Sequence, residues 1–318
     1  MRRHPDHLLP PPAVLTLGAL RQVQLQLAEL VTPVAARIDV PLARAAGRVL
    51  ADDVPAPDGG PPLLPRGTCL AARHLPLLAG SGQATAAVLA RPRIGVMALA
   101  CGDTEPARAR TGAVASAAWV AATVEQLGAQ PFETICRQPT AQRFVEKLEM
   151  FVGECALVVV LGFLDPARCE ALEQAQVRHG QVPRIEALRP RPFGALQVAR
   201  LGATLVVALP ADLDGAVTAF TTLLAPLVRR LQGRHDALPD ARAAELQVPV
   251  RRDDERWRLY PVRIDPGALN TRVRLLPCAG QDTASALATA DGLAWHAAEF
   301  SGFERPTVAF FPFDGGTG

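Results

Sequence analysis

Carboxylates and cations sit beside turn-forming residues at two places in this chain. In ACGDTEP, Ala100 to Pro106, Gly102 offers backbone for close approach, while Asp103 and Glu105 offer oxygen ligands for a divalent cation. In RPRP, Arg189 to Pro192, Arg189 and Arg191 offer guanidinium groups that can neutralise phosphate. A phosphorylated ligand held with a metal ion is the chemistry these groups would suit. The plainer alternatives are an exposed turn and a solvated basic loop, and residue types alone leave both open.

Other chemistries find less support. The 6 cysteines, Cys69, Cys101, Cys136, Cys155, Cys169 and Cys278, are far apart with no CxxC pair. They read as small core residues of a reducing compartment, not as a disulfide framework or thiolate metal site. His179 and His235 fall in loops, His296 and Trp295 read as packing residues of a β segment, and no histidines share a metal-ligand spacing. No nucleophile-elbow string points to a catalytic serine.

The elements that would position the two loops alternate between strand and helix. RIGVMAL, Arg93 to Leu99, predicts a strand, and a helix follows with Val114, Ala117, Ala121, Val124 and Leu127 on one stripe until Gly128 ends it. PFETIC is a short strand, and the next helix has Phe144, Leu148 and Phe151 on one face. ALVVVLG, Ala156 to Gly162, is apolar throughout, as a central parallel strand must be, and the helix DPARCEALEQAQ follows it. After a proline-rich crossing, GATLVVALP is another strand, and Leu213, Val217, Phe220, Leu224, Val228 and Leu231 stripe a closing helix. This alternation predicts a doubly wound α/β domain over 91–233, with its ligand site beyond the strand ends at Leu99 to Gly102, Leu161 to Asp165 and Leu209 to Asp212.

Flanking segments differ in character. Over 12–71 the pattern predicts a helical arm and an extended segment: one helix from Val14, then a second with Leu42, Ala46, Val49 and Leu50 at helical spacing, Pro41 in its first turn and Asp39 as its cap. The prolines that follow stiffen the exit. An arm with an apolar stripe needs a cover, and a symmetric homodimer would supply one. Over 244–313, short β-branched and aromatic runs separated by polar turns predict a small β domain.

Composition narrows the classes further. At 318 residues, with 49% hydrophobic and 20% charged side chains, the chain is a folded protein of more than one domain. A balance of 33 basic and 31 acidic side chains gives a net charge of +2, which argues against a nucleic-acid partner. No stretch approaches the ~18 apolar residues of a membrane span, and prolines interrupt the start where a secretory signal would need an apolar run. A cytoplasmic protein without a membrane partner is the expectation.

Several strings, in order along the chain, resemble the MoeA family, the molybdopterin molybdotransferases, which includes the E domain of gephyrin. They are PLARAAGRVLADDVPAPDGGPP from Pro41, RPRIGVMALACGDTEP from Arg91, LRPRPFGAL from Leu188, VVALPADLDGAVTAF from Val206 and LPCAGQDTASALATADGL from Leu276. The resemblance implies a MoeA-like fold of helical arm, α/β domain and C-terminal β domain. The family's second β domain is missing, because the opening signature ends near Arg66 and the run into the α/β strand begins soon after.

It also implies a site and an activity. Molybdopterin or its adenylylated form would bind at the strand ends, and with Mg2+ an adenylyl group would be exchanged for molybdate. By resemblance, Asp103 and Glu105 would be catalytic and Asp103 a metal ligand, with Gly102, Ser116, Gly162, Asp165, Arg189, Arg191 and Asp212 around the cofactor. The chain departs from the family at several of these places. Cys69 stands where the family has an aspartate, Phe163 replaces a glycine, and Asp165 puts negative charge where phosphate is expected. Ser116 is followed by Ala117 and Ala118 in place of the family's serine and asparagine, and Ala211 and Asp212 replace glycine and asparagine. Three readings follow: a molybdotransferase, a non-catalytic relative that binds the cofactor or serves a molybdoenzyme or another maturation partner, and an unrelated module for a small anion or nucleotide.

Overall fold

Apolar runs bounded by turns become the strands of a central sheet. The computed structural model describes residues 17–100, 107–137, 140–162, 164–188, 196–237, 241–247, 259–267, 271–276, 283–295 and 307–313. Before the sheet come α1 (Leu17–Glu29), β1 (Arg37–Pro41), α2 (Leu75–Gly80) and β2 (Thr85–Leu89). The sheet region holds β3 (Arg93–Ala100), α3 (Ala107–Gln126), β4 (Gln130–Arg137), α4 (Ala141–Glu149), β5 (Leu157–Leu161), α5 (Pro166–Arg178), β6 (Ile185–Leu188), β7 (Leu196–Leu201), β8 (Thr204–Leu209), α6 (Leu213–Ala219) and α7 (Ala225–Leu231). After it come β9 (Arg242–Leu246), β10 (Leu259–Ile264), β11 (Arg272–Leu275), α8 (Thr283–Thr289), β12 (Gly292–Trp295) and β13 (Thr307–Pro312).

The 6-stranded sheet has the order β4-β3-β5-β8-β7-β6. β4, β3, β5 and β8 are parallel, whereas β7 and β6 extend the sheet by antiparallel pairing. The proline-rich crossing therefore holds two strands that the alternation did not predict. Every residue of β5 is buried, since apolar layers cover both faces of the sheet. One layer, with α1, α3, α6 and α7, packs Val96, Val159 and Val207 of the sheet, and the other, with α4 and α5, packs Met97, Val158 and Val206.

Local signals start and stop the helices. The Thr140 side chain accepts from Arg143 N (3.3 Å) at the start of α4, and Gly128, at φ 86°, turns the chain after α3. Val114, expected on the α3 stripe, is exposed, and Ala113 and Val120 are buried in the core instead. Between α6 and α7 the helix widens into a π turn, Phe220–Leu224, which keeps Phe220, Leu224, Val228 and Leu231 buried.

The second predicted helix does not form. Arg37–Pro41 is instead a strand that pairs antiparallel with β2, with Asp39 opposite Ala87 and Pro41 opposite Thr85. Only a 3-10 turn, Leu42–Arg44, follows, and Gly47 at φ 76° turns the chain away, its N–H donating to Leu70 O (2.7 Å). Val49 and Leu50 form isolated bridges with Cys69 and Val88. Hydrogen bonds to distant residues thus outweigh the local helical spacing.

The stripe of α1 is covered by the chain itself. Leu20, Val23, Leu27 and Val31 join the core beside Leu224, Leu227 and Leu231, and Gln24 Nε2 donates to Thr222 O (2.6 Å) in the π turn. That stripe therefore does not call for a second copy. The C-terminal strands close into a barrel, β10-β11-β9-β13-β12. Its residues Leu259, Leu293, Trp295 and Phe311 enter the same core, and Trp119 of α3 meets Phe220 and Phe313 edge-on, with ring centroids 5.7 and 6.3 Å away. Among the described residues no helix is long and apolar enough to cross a membrane.

Candidate functional site

The direction of winding changes at β3, because the chain moves outward to β4 and then returns to β5 on the other side of β3. In sheets of this kind a crevice opens at that reversal, beyond the carboxyl ends of the strands. The described rim is formed by the ends of β3, β5 and β8. Gly162 N donates to Leu209 O (2.8 Å), joining the ends of β5 and β8. Gly162 has φ 131°, and a Cβ there would come within 3.2 Å of Leu99 Cβ, so glycine is needed for backbone conformation and for close packing.

Asp165, Asp212 and Ser116 lie around this rim, each engaged by the fold. The Asp165 carboxylate caps α5, accepting from Arg168 N (2.8 Å), and its other oxygen is 3.4 Å from the Arg168 guanidinium. Asp212 caps α6, accepting from Gly215 N (2.7 Å). A helix N-terminus attracts an anion through its free N–H groups and its dipole. Here the chain supplies that anion at both helices, so an incoming phosphate would meet like charge instead of open donors. Ser116 is buried and donates to Ala211 O (3.1 Å), tying α3 to the loop after β8. Its hydroxyl stabilises that loop.

Sequence reasoning missed one support of the rim. Gln197 of β7 accepts from Leu164 N (2.7 Å) and donates to Leu164 O (3.1 Å), pinning the loop after β5. Cys169 lies within 3.7 Å of the same amide. Burial above all, then Glu173 and Asp165, raises the pKa of the Cys169 thiol, so it stays protonated and is a poor nucleophile. The sequence did signal the caps: Asp165 directly precedes Pro166, an arrangement that starts helices. No comparable signal marks Gln197.

Gly102, Asp103, Glu105, Phe163, Arg189 and Arg191 lie outside the described residues. Among the described residues no cluster of three or more His, Cys, Asp or Glu side chains could hold a metal ion. Cys69 lies in the small antiparallel unit, bridged to Val49.

No protein-family model matches the sequence, and no curated protein matches it. Solved structures do. A molybdenum cofactor biosynthesis protein from Pyrococcus furiosus superposes with a TM-score of 0.66 at 18% identity, covering 92% of this chain and 98% of its own. The molybdopterin biosynthesis MoeA protein from Pyrococcus horikoshii superposes with a TM-score of 0.68 at 13% identity, covering 92% of this chain and 99% of its own. At these identities the likeness is one of architecture, and the chain has a MoeA-like fold: a helical arm, a mixed α/β sheet and a closed β barrel.

Proposed function

We propose that this protein works in molybdenum cofactor biosynthesis as a non-catalytic, MoeA-like protein that binds a molybdopterin-type cofactor at the strand-end crevice. The fold likeness and the ordered family strings support the pathway. The self-capping of α5 and α6 by Asp165 and Asp212 favours a non-catalytic role, since it puts carboxylates at two positions open to a phosphate in an anion-binding crevice. Cofactor affinity then falls to Gly102, Arg189 and Arg191, whose backbone and cations suit a phosphorylated ligand.

The second reading is the molybdotransferase itself, exchanging the adenylyl group of adenylylated molybdopterin for molybdate. The Asp103 and Glu105 pair favours it, because these are the oxygen ligands that Mg2+ would need. Asp103→Asn separates the readings. In cells that depend on this protein, the carrier role predicts unchanged cofactor insertion, whereas loss of insertion would favour the transferase. A homodimer, the loss of the family's second β domain after the segment that ends near Arg66, and service to a molybdoenzyme or another maturation protein belong to the same proposal.

A further inference from the structure

The outer strand of the sheet carries a second surface suited to binding. β4 is the last strand on its side and among the described residues pairs only with β3. Unpaired edges of this kind can accept another strand, and natural proteins guard them with proline or charge. Pro131 guards the beginning of β4, opposite Ile94, but the other end runs beside an open groove. That groove, of about 460 Å³, is lined by Ile135, Cys136 and Arg137 of the strand and by Arg143, Glu146, Lys147 and Met150 from α4 and its end.

Its chemistry is specific. Among the described residues, Arg137, Arg143 and Lys147 line it together with one carboxylate, Glu146, which accepts from Gln142 Nε2 (2.8 Å). Ile135 is 39% exposed and Met150 51% exposed, so the cations flank apolar surface. The groove on the other side of α4 has the opposite character, with Glu146, Glu149 and Glu170 among its lining residues and Arg178 bridged to Glu149 (2.8 Å). An acidic partner would thus be drawn to the β4 side of α4 and repelled from the α5 side.

We propose that this groove docks an extended acidic segment of a partner protein, carrying carboxylates and apolar side chains on both of its faces, and that the segment adds as a strand to the edge of β4. Strand addition would supply main-chain hydrogen bonds. The cations would select carboxylates, and Ile135 and Met150 would receive the apolar side chains. A nucleic acid fits less well, because among the described residues the lining has no aromatic ring for base stacking and its apolar residues offer phosphates nothing. The inference does not depend on the proposed cofactor role.

Fluorescence anisotropy with a labelled peptide of repeating Glu-Glu-Val-Val tests it against the same peptide with Lys for Glu. The acidic peptide should bind at least about tenfold more tightly, and weaken by about tenfold in R137E/K147E or when salt rises to about 0.5 M. Met150→Ser should also weaken binding, and hydrogen exchange should slow in Thr134 to Arg137 when the peptide is bound. Circular dichroism of the variants should match the parent. Equal binding of the two peptides, or indifference to R137E/K147E in folded protein, would overturn the proposal. So would equally tight binding of polyglutamate or a single-stranded oligonucleotide without protection of β4, since this surface would then attract any polyanion.

Discussion

Asp165 and Asp212 show how one carboxylate type can serve structure where a ligand site is expected. Each accepts a backbone N–H three residues on, and that geometry predicts an asymmetry between substitutions. Asp212→Ala should cost about 1 kcal/mol in urea denaturation, whereas Asp212→Asn, which can still cap, should cost only about a few tenths. Equal losses would mean that charge, not capping, holds Asp212 in place. Cys155 gives a test in pH. Burial pushes its thiol up to about 11 from an ordinary 9.0, against the opposing pull of Arg93. The folded state therefore holds the proton more strongly than the unfolded chain. That contribution is present below pH 9.0 and is lost as pH rises towards about 11. Denaturation midpoints should fall across this window, and Cys155→Ala should flatten the fall; an unchanged slope would remove the assignment.

Secondary structure was legible wherever one local pattern governed it. The parallel strands β3, β5 and β8 read as apolar runs because helices cover both sheet faces, and α4 read correctly from Phe144 and Leu148. The predicted helix at Leu42, Ala46, Val49 and Leu50 failed because its competitor lies far along the chain: β1 pairs with β2, and Gly47 turns back to Leu70. No local pattern reports such pairing. β6 and β7 were missed for a related reason, since they form an antiparallel edge where the regular alternation stops. The π turn was also hidden, because widening the helix leaves its apolar stripe unchanged. Gln24 gives that turn an experimental handle. Gln24→Leu removes the donor to the buried Thr222 carbonyl and should destabilise the protein by about 1–3 kcal/mol, read from urea denaturation. A neutral result would mean that α1 docks through its apolar stripe alone.

For the whole molecule, one continuous core ties the arm, the sheet and the barrel together, with Trp119 between Phe220 and Phe313 at their meeting place. The sequence reading identified the strand-end crevice as the candidate site, and Ser116, Gly162, Asp165 and Asp212 do lie on its rim. It did not take Asp165 and Asp212 as caps, although these are local contacts to N–H groups three residues on, and it could not foresee the Ser116 tie to Ala211 O, whose partner is set by tertiary placement. The homodimer remains a proposal without the α1 stripe as its seat. Light scattering at micromolar concentration should give about twice the 33.7 kDa chain mass, and the chain mass itself would remove the dimer. The carrier role is most directly tested by titrating the purified protein with adenylylated molybdopterin and Mg2+ in a calorimeter, then adding molybdate and measuring AMP. The proposal predicts binding heat and no AMP release; AMP released in step with added molybdate would show that the crevice is a working transferase site.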